Sequence, residues 1–151
     1  MPTHFTGSRA EMRTLDTFIK LTRCTDSLHA RLAERNSIGD LTFSQFAVLE
    51  ALYHLGPMTA GQVSQKILKS GSNLTTVIDN LERAGLVRRE RDAQDRRVIH
   101  IHLTEAGTSK LEAVFPGQVA ALVEEFSVLS ANEQEALGEL CKKLGKGRRS
   151  E

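Results

Sequence analysis

Ser72, Asn73, Thr75, Thr76, Asn80 and Arg83 crowd one short stretch of the chain. An ordinary solvated helix face would carry more Lys and Glu. Short hydroxyls and amides instead offer donors and acceptors at fixed reach, which suits reading base edges or holding phosphate oxygens. Downstream, Arg91-Asp92-Ala93-Gln94-Asp95-Arg96-Arg97 gathers three guanidinium groups in one turn. Arg91, Arg96 and Arg97 there suit a phosphate backbone or a narrow, negative groove. Glu90, Asp92 and Asp95 read as intramolecular partners for these cations.

These groups need elements to hold them. Leu74, Val77, Ile78 and Leu81 fall at i, i+3, i+4 and i+7, which predicts a helix over 72–84 with that stripe inward. At about a hundred degrees per residue, the opposite face presents Ser72, Thr76, Asp79 and Arg83, flanked by Asn73, Thr75 and Asn80. Asp79 would repel phosphate; it can accept from a cytosine amine or pair with Arg83 at i+4, and the pairing is the preferred reading. A preceding helix over 59–68 opens on the capping box Thr59-x-x-Gln62, and Val63, Ile67 and Leu68 point it inward. Ser70-Gly71 makes the turn between the two, and Ser70 joins the candidate DNA contacts. Gly85 suits a left-handed cap. Strands are predicted over 86–89 and 98–103, with Ile99, Ile101 and Leu103 facing the helices and His100 and His102 facing out. Helix, turn, helix and an Arg-tipped hairpin spell a winged helix-turn-helix, its second helix suited to a major groove.

The flanks are helical. A long helix is predicted from Glu11, with Leu15, Phe18, Ile19, Leu28 and Leu32 on one stripe, ending at Asn36–Asp40. Its spare apolar residues suit another subunit. Thr42-x-x-Gln45 caps a helix to Leu55, stopped by Gly56-Pro57. Thr104 opens a long helix in which Pro116-Gly117 predicts a kink or short break. Ser130-x-x-Glu133 caps a last helix carrying Leu137, Leu140, Cys141 and Leu144, and residues 145–151 read as a frayed basic tail. The fold class is therefore mainly α with a small β-hairpin wing.

Composition bounds the function. A chain of 151 residues, 40% hydrophobic and 26% charged, fits one domain with attached helices. Net charge is +1, but residues 66–97 hold eight Lys or Arg against five Asp or Glu, beside a strongly acidic 104–140. That asymmetry can orient a protein on DNA. No apolar run reaches membrane-span length and the N-terminus lacks a signal-peptide layout, so the reading is cytoplasmic. No nucleophile elbow, phosphate loop, metal box or paired-carboxylate motif points to an enzyme, and no catalytic residue or cofactor is assigned. His100 and His102 share a strand face but lack a third ligand, so no metal is assigned and they read as exposed polar residues. Cys24 and Cys141 have no CxxC spacing. Cys24 reads as a buried structural thiol and Cys141 as packing.

Leu81-Glu82-Arg83-Ala84-Gly85-Leu86-Val87-Arg88-Arg89, Asp95-Arg96-Arg97 and Leu103-Thr104-Glu105-Ala106-Gly107 resemble the signature of MarR-type transcriptional regulators, as does Leu41-Thr42-x-x-Gln45-x-x-Val48-Leu49 upstream. The resemblance implies an N-terminal dimerisation helix over 1–40, a winged DNA-binding domain over 41–104 and C-terminal dimerisation helices over 105–151. It implies a homodimer on a pseudo-palindromic double-stranded DNA operator. It also implies a repressor released by a small phenolic or lipophilic effector. It places Arg97 in a minor groove, with Asp95 holding its guanidinium. An effector pocket is implied between the winged domain and the dimer helices, where Phe46, Tyr53, His54 and Phe115 are candidates and equally good core residues. Some relatives sense oxidants through an N-terminal-region thiol, but Cys24 lies nearer Leu41 than that position. A redox-sensing repressor using Cys24 and a winged-helix protein-interaction scaffold remain the alternatives.

Overall fold

The computed structural model describes residues 4–67 and 71–148, without the side chain of Ser72. Its elements run α1 (Arg9–Arg35), α2 (Phe43–Leu55), β1 (Met58–Thr59), α3 (Ala60–Ile67), α4 (Gly71–Arg83), β2 (Val87–Arg91), β3 (Ile99–Leu103), α5 (Glu105–Phe126) and α6 (Ala131–Lys146). The predicted inward Leu68 and the Ser70 contact lie outside the described residues, as do residues 149–151 of the tail. Two compact units are present. Asn36–Gln118 forms one, and the segments up to Arg35 and from Val119 form the other.

In the first unit, local chemistry starts and stops each helix. Thr42 accepts a hydrogen bond from the Gln45 amide at 3.1 Å, and the Gln45 side chain accepts from the Thr42 amide at 3.0 Å. Thr59 and Gln62 repeat this at 3.2 and 2.9 Å. Each box satisfies two donors that a helix start would otherwise leave open. Gly85, at φ 76°, turns the chain from α4 into β2. The predicted stripe of α4 is inward, with Leu74, Ile78 and Leu81 at 2% exposure or less. They pack with Val48 and Leu49 of α2, Val63 of α3, Val87 and Ile101 of the sheet, and Leu111 of α5.

The sheet has three strands, ordered β1-β3-β2 and antiparallel throughout. The hairpin is as expected in type, shifted to 87–91 and 99–103. The added strand is two residues long, pairing Met58 with Ile101 and Thr59 with His100. Pro116 does not break α5, which runs unbroken through it. Leu111 and Phe115 pack on the core before it, and Gln118, 5% exposed after it, accepts a hydrogen bond from the Ser37 hydroxyl. Tertiary packing on both sides holds the helix through a residue of low helical propensity.

In the second unit, α1 starts two residues before Glu11, on a box the sequence reading missed. The Ser8 hydroxyl accepts from the Glu11 amide and the Glu11 carboxylate from the Ser8 amide. Arg31 and Arg35 of α1 meet Glu125 of α5, and Arg35 also reaches Glu124 at 2.7 Å. The Arg31 and Arg35 hydrogen bonds hold the Glu125 carboxyl below its ordinary range. Helix α6 continues to Lys146, past the predicted start of the tail at Gly145, and none of its residues is buried. Cys24 and Cys141 are both exposed, correcting the buried and packing readings. They line one apolar groove of about 320 Å³ with Leu21, Leu137, Leu140 and Leu144. Among the described residues the α6 stripe stays largely open, with Leu140 and Leu144 each 65% exposed. Among the described residues, no helix is long and apolar enough to cross a membrane.

Candidate nucleic-acid interface

Helix α4 presents its polar face as the periodicity requires. Asn73, Thr75, Thr76, Asp79, Asn80 and Arg83 are all exposed while Leu74, Ile78 and Leu81 are buried. Arg83 Nη1 donates to Asn80 Oδ1 at 3.0 Å, so these two candidates form one hydrogen-bonded group. The expected Asp79–Arg83 pair is replaced. Asp79 Oδ1 accepts from Arg89 Nη2 of β2 at 2.6 Å. The strand crosses within reach of the helix face, and its guanidinium outcompetes the local i+4 partner.

The wing is built around two carboxylates. Asp92 Oδ1 accepts from the amides of Gln94 and Asp95 at 2.8 and 2.9 Å, and its own amide donates to the Val98 carbonyl at 2.9 Å. Backbone donors from Asp95 and Gln94, then His100, hold the Asp92 carboxyl below its ordinary range. Asp95 Oδ1 accepts from Arg97 Nε at 3.1 Å and Oδ2 from Nη2 at 3.2 Å, a bidentate fork. The Arg97 side chain and amide together hold the Asp95 carboxyl low. Arg97 is nonetheless 91% exposed, so its guanidinium is fixed in direction and open to a partner. Arg91 Nη1 donates to the Arg96 carbonyl at 2.8 Å and ties the hairpin shut. Arg96 is exposed at the tip.

The two strand histidines are half-buried and face carboxylates, which corrects their reading as exposed polar residues. His100 Nε2 lies 3.1 Å from Asp92 Oδ2, and His102 Nε2 lies 3.5 Å from Glu90 Oε2. The register pairing Glu90 with His100 and Arg88 with His102 brings these groups together.

The wing is anchored at its base by Thr104. Its hydroxyl donates to the Gly85 carbonyl at 2.7 Å and accepts from the Gly107 amide at 3.0 Å, while its own amide donates to the Leu86 carbonyl at 3.1 Å. This explains the Leu-Thr-x-x-Gly spacing: the threonine caps α5 and ties it to the start of β2.

The same unit holds a pocket of about 290 Å³ lined by Tyr53, His54, Leu111, Glu112, Phe115 and Pro116. Its walls are ring edges, with His54 meeting Tyr53 at 5.2 Å and Phe115 at 5.7 Å between centroids. Tyr53 Oη donates to Glu112 Oε1 at 3.1 Å, which pushes the phenol's ionisation up. Phe46, a candidate lining residue, is buried behind the pocket and stacks on Phe115 at 6.1 Å.

A profile of the MarR family matches residues 39–98. Over 133 residues the chain is 36% identical to the HTH-type transcriptional regulator MhqR of Bacillus subtilis, covering 88% of this chain and 92% of that one. It is 41% identical to the uncharacterised HTH-type regulator YkoM of the same organism, over 68% of this chain and 66% of YkoM's length. Among solved structures, Sco3205 of Streptomyces coelicolor, a MarR family regulator in complex with DNA, superposes at TM-score 0.84 with 21% identity, covering 97% and 93% of the two chains. BpsR of Bordetella bronchiseptica superposes at 0.81 with 24% identity over 97% and 99%, and its DNA binding is regulated by 6-hydroxynicotinic acid. At those identities the two structures speak to the fold.

Proposed function

We propose that this chain, which belongs to the MarR family of transcriptional regulators, represses transcription as a homodimer on a pseudo-palindromic operator and leaves it when a small aromatic effector binds. One observation carries the DNA reading. An exposed face of Asn, Thr and Arg on α4 stands beside a wing whose outermost cation, Arg97, is locked by Asp95 yet open to solvent. In the operator complex, α4 lies in the major groove, where Asn73, Thr75, Thr76, Asn80 and Arg83 contact bases and phosphates with Ser72 and Ser70. Arg91 and Arg96 steady the wing while Arg97 enters the minor groove. Sco3205, solved with DNA on a similar fold, supports this docking.

Dimerisation accounts for apolar surface left open in the second unit. Phe18 of α1, Val123 of α5, and Leu140 and Leu144 of α6 are each 60% exposed or more. Apolar side chains in such density mark a contact surface, and a second copy is the occupant the family supplies. The protein acts where its operator lies, in the cytoplasm.

The effector reading rests on the Tyr53–Glu112 pocket. Its volume lies near the small end of ligand cavities and fits a single ring. Glu112 can accept from a phenolic hydroxyl in place of Tyr53, and the aromatic edges can hold the ring. BpsR, controlled by one hydroxylated ring, supports an effector of that size. Phenol and its methyl ether are the probes. We expect phenol to raise the melting temperature and lower operator affinity, and the ether, which cannot donate, to do neither. Equal action of both would overturn the assignment of Glu112.

A further inference from the structure

Helix α4 has an electrostatic problem. Its only acids, Asp79 and Glu82, sit on a helix that must approach a polyanion, and within the helix only Arg83 opposes them. Freed carboxylates there would face phosphates across the interface, a juxtaposition that costs affinity. The β2 strand supplies an answer from outside the helix.

Arg89 reaches both acids with one guanidinium. Its Nη2 donates to Asp79 Oδ1 at 2.6 Å and its Nη1 to Glu82 Oε1 at 2.9 Å. Glu82 Oε2 accepts the Arg89 backbone amide at 2.9 Å as well, so Glu82 is held from two directions. Arg89 is itself fixed by the β2–β3 ladder, opposite Ile101 at 1% exposure. Burial alone would weaken its charge, but the hydrogen bonds it donates to Asp79 and Glu82 outweigh that and push its deprotonation above the ordinary range. Its side chain is 29% exposed, against 91% for Arg97. The two arginines therefore face different tasks.

We propose that Arg89 acts in operator binding as a clamp that neutralises Asp79 and Glu82, so that α4 turns no unpaired carboxylate toward phosphate. The inference rests on the operator reading above, and wild-type binding to a selected operator is the control that separates the two failures.

The test uses the full chain in three forms: Arg89→Met, the pair Asp79→Asn with Glu82→Gln, and all three changes together. Operator affinity is measured over a range of salt, with thermal melting as a check on folding. Arg89→Met should lose about tenfold or more in affinity, because two carboxylates are left facing phosphate. The carboxylate pair alone should bind like wild type. The triple variant should return to within about twofold of wild type, with an unchanged salt slope. Arg89 is a direct phosphate ligand, and the clamp is wrong, if the triple variant stays weak with a slope lower by about one per subunit. Unchanged affinity in Arg89→Met would also overturn it. Should Arg89→Met fail to fold, the triple variant, which leaves no unpaired charge, still decides.

Discussion

Replacing Arg97 with alanine is expected to weaken operator binding by roughly a hundredfold or more, from loss of a charge-assisted contact worth about 1.5–3 kcal/mol in each of two subunits. The effect should be electrostatic in character. The logarithm of affinity against the logarithm of salt should flatten by about one per subunit, one counterion fewer being released for each lost contact. Folding should hardly change, since Arg97 is 91% exposed and bonds only to its neighbour Asp95 among the described residues. Affinity titrations at several salt concentrations, alongside a thermal melt, read both quantities. An unchanged slope and affinity would remove Arg97 from the interface and leave the wing as a solvated hairpin.

The second large effect falls on stability. A Cβ at Gly107 would collide with the Leu86 carbonyl oxygen and lie 2.7 Å from Leu103 Cδ1. The Leu86 carbonyl cannot simply retreat, because it accepts the Thr104 amide at 3.1 Å and sits where β2 begins. Gly107→Ala should therefore cost about 3 kcal/mol, at the upper end for overpacking, and lower the melting temperature by on the order of 10 °C. DNA binding should fall with it, since the same contact joins α5 to the wing. A melting temperature equal to wild type would mean that α5 and β2 part more easily than their hydrogen bonds suggest.

Features with a local period were readable from the residues. Leu74, Ile78 and Leu81 fixed both the existence of α4 and its inward side, and so the outward side of Thr76 and Asn80. The Asp95–Arg97 pair at the wing came from the family resemblance, and the cap that Asp92 gives its own turn was not foreseen. What else escaped depends on contacts distant in sequence. Strand β1 is too short to show alternation. The choice of Asp79 between Arg83 and Arg89 turns on how β2 crosses α4, ten residues on. Pro116 carries a strong local signal, overridden by packing through Leu111, Phe115 and Gln118. Cys24 and Cys141 lie on apolar stripes, and a stripe does not say whether its partner is in the same chain.

Selection of bound duplexes from a randomised pool, with the mass of the recovered complex measured alongside, tests the DNA reading most directly. Two chains on one inverted repeat, with half-sites centred about 10 base pairs apart, is the result this geometry predicts. Recovery of a single chain, or no enrichment of any sequence at modest salt, would contradict it.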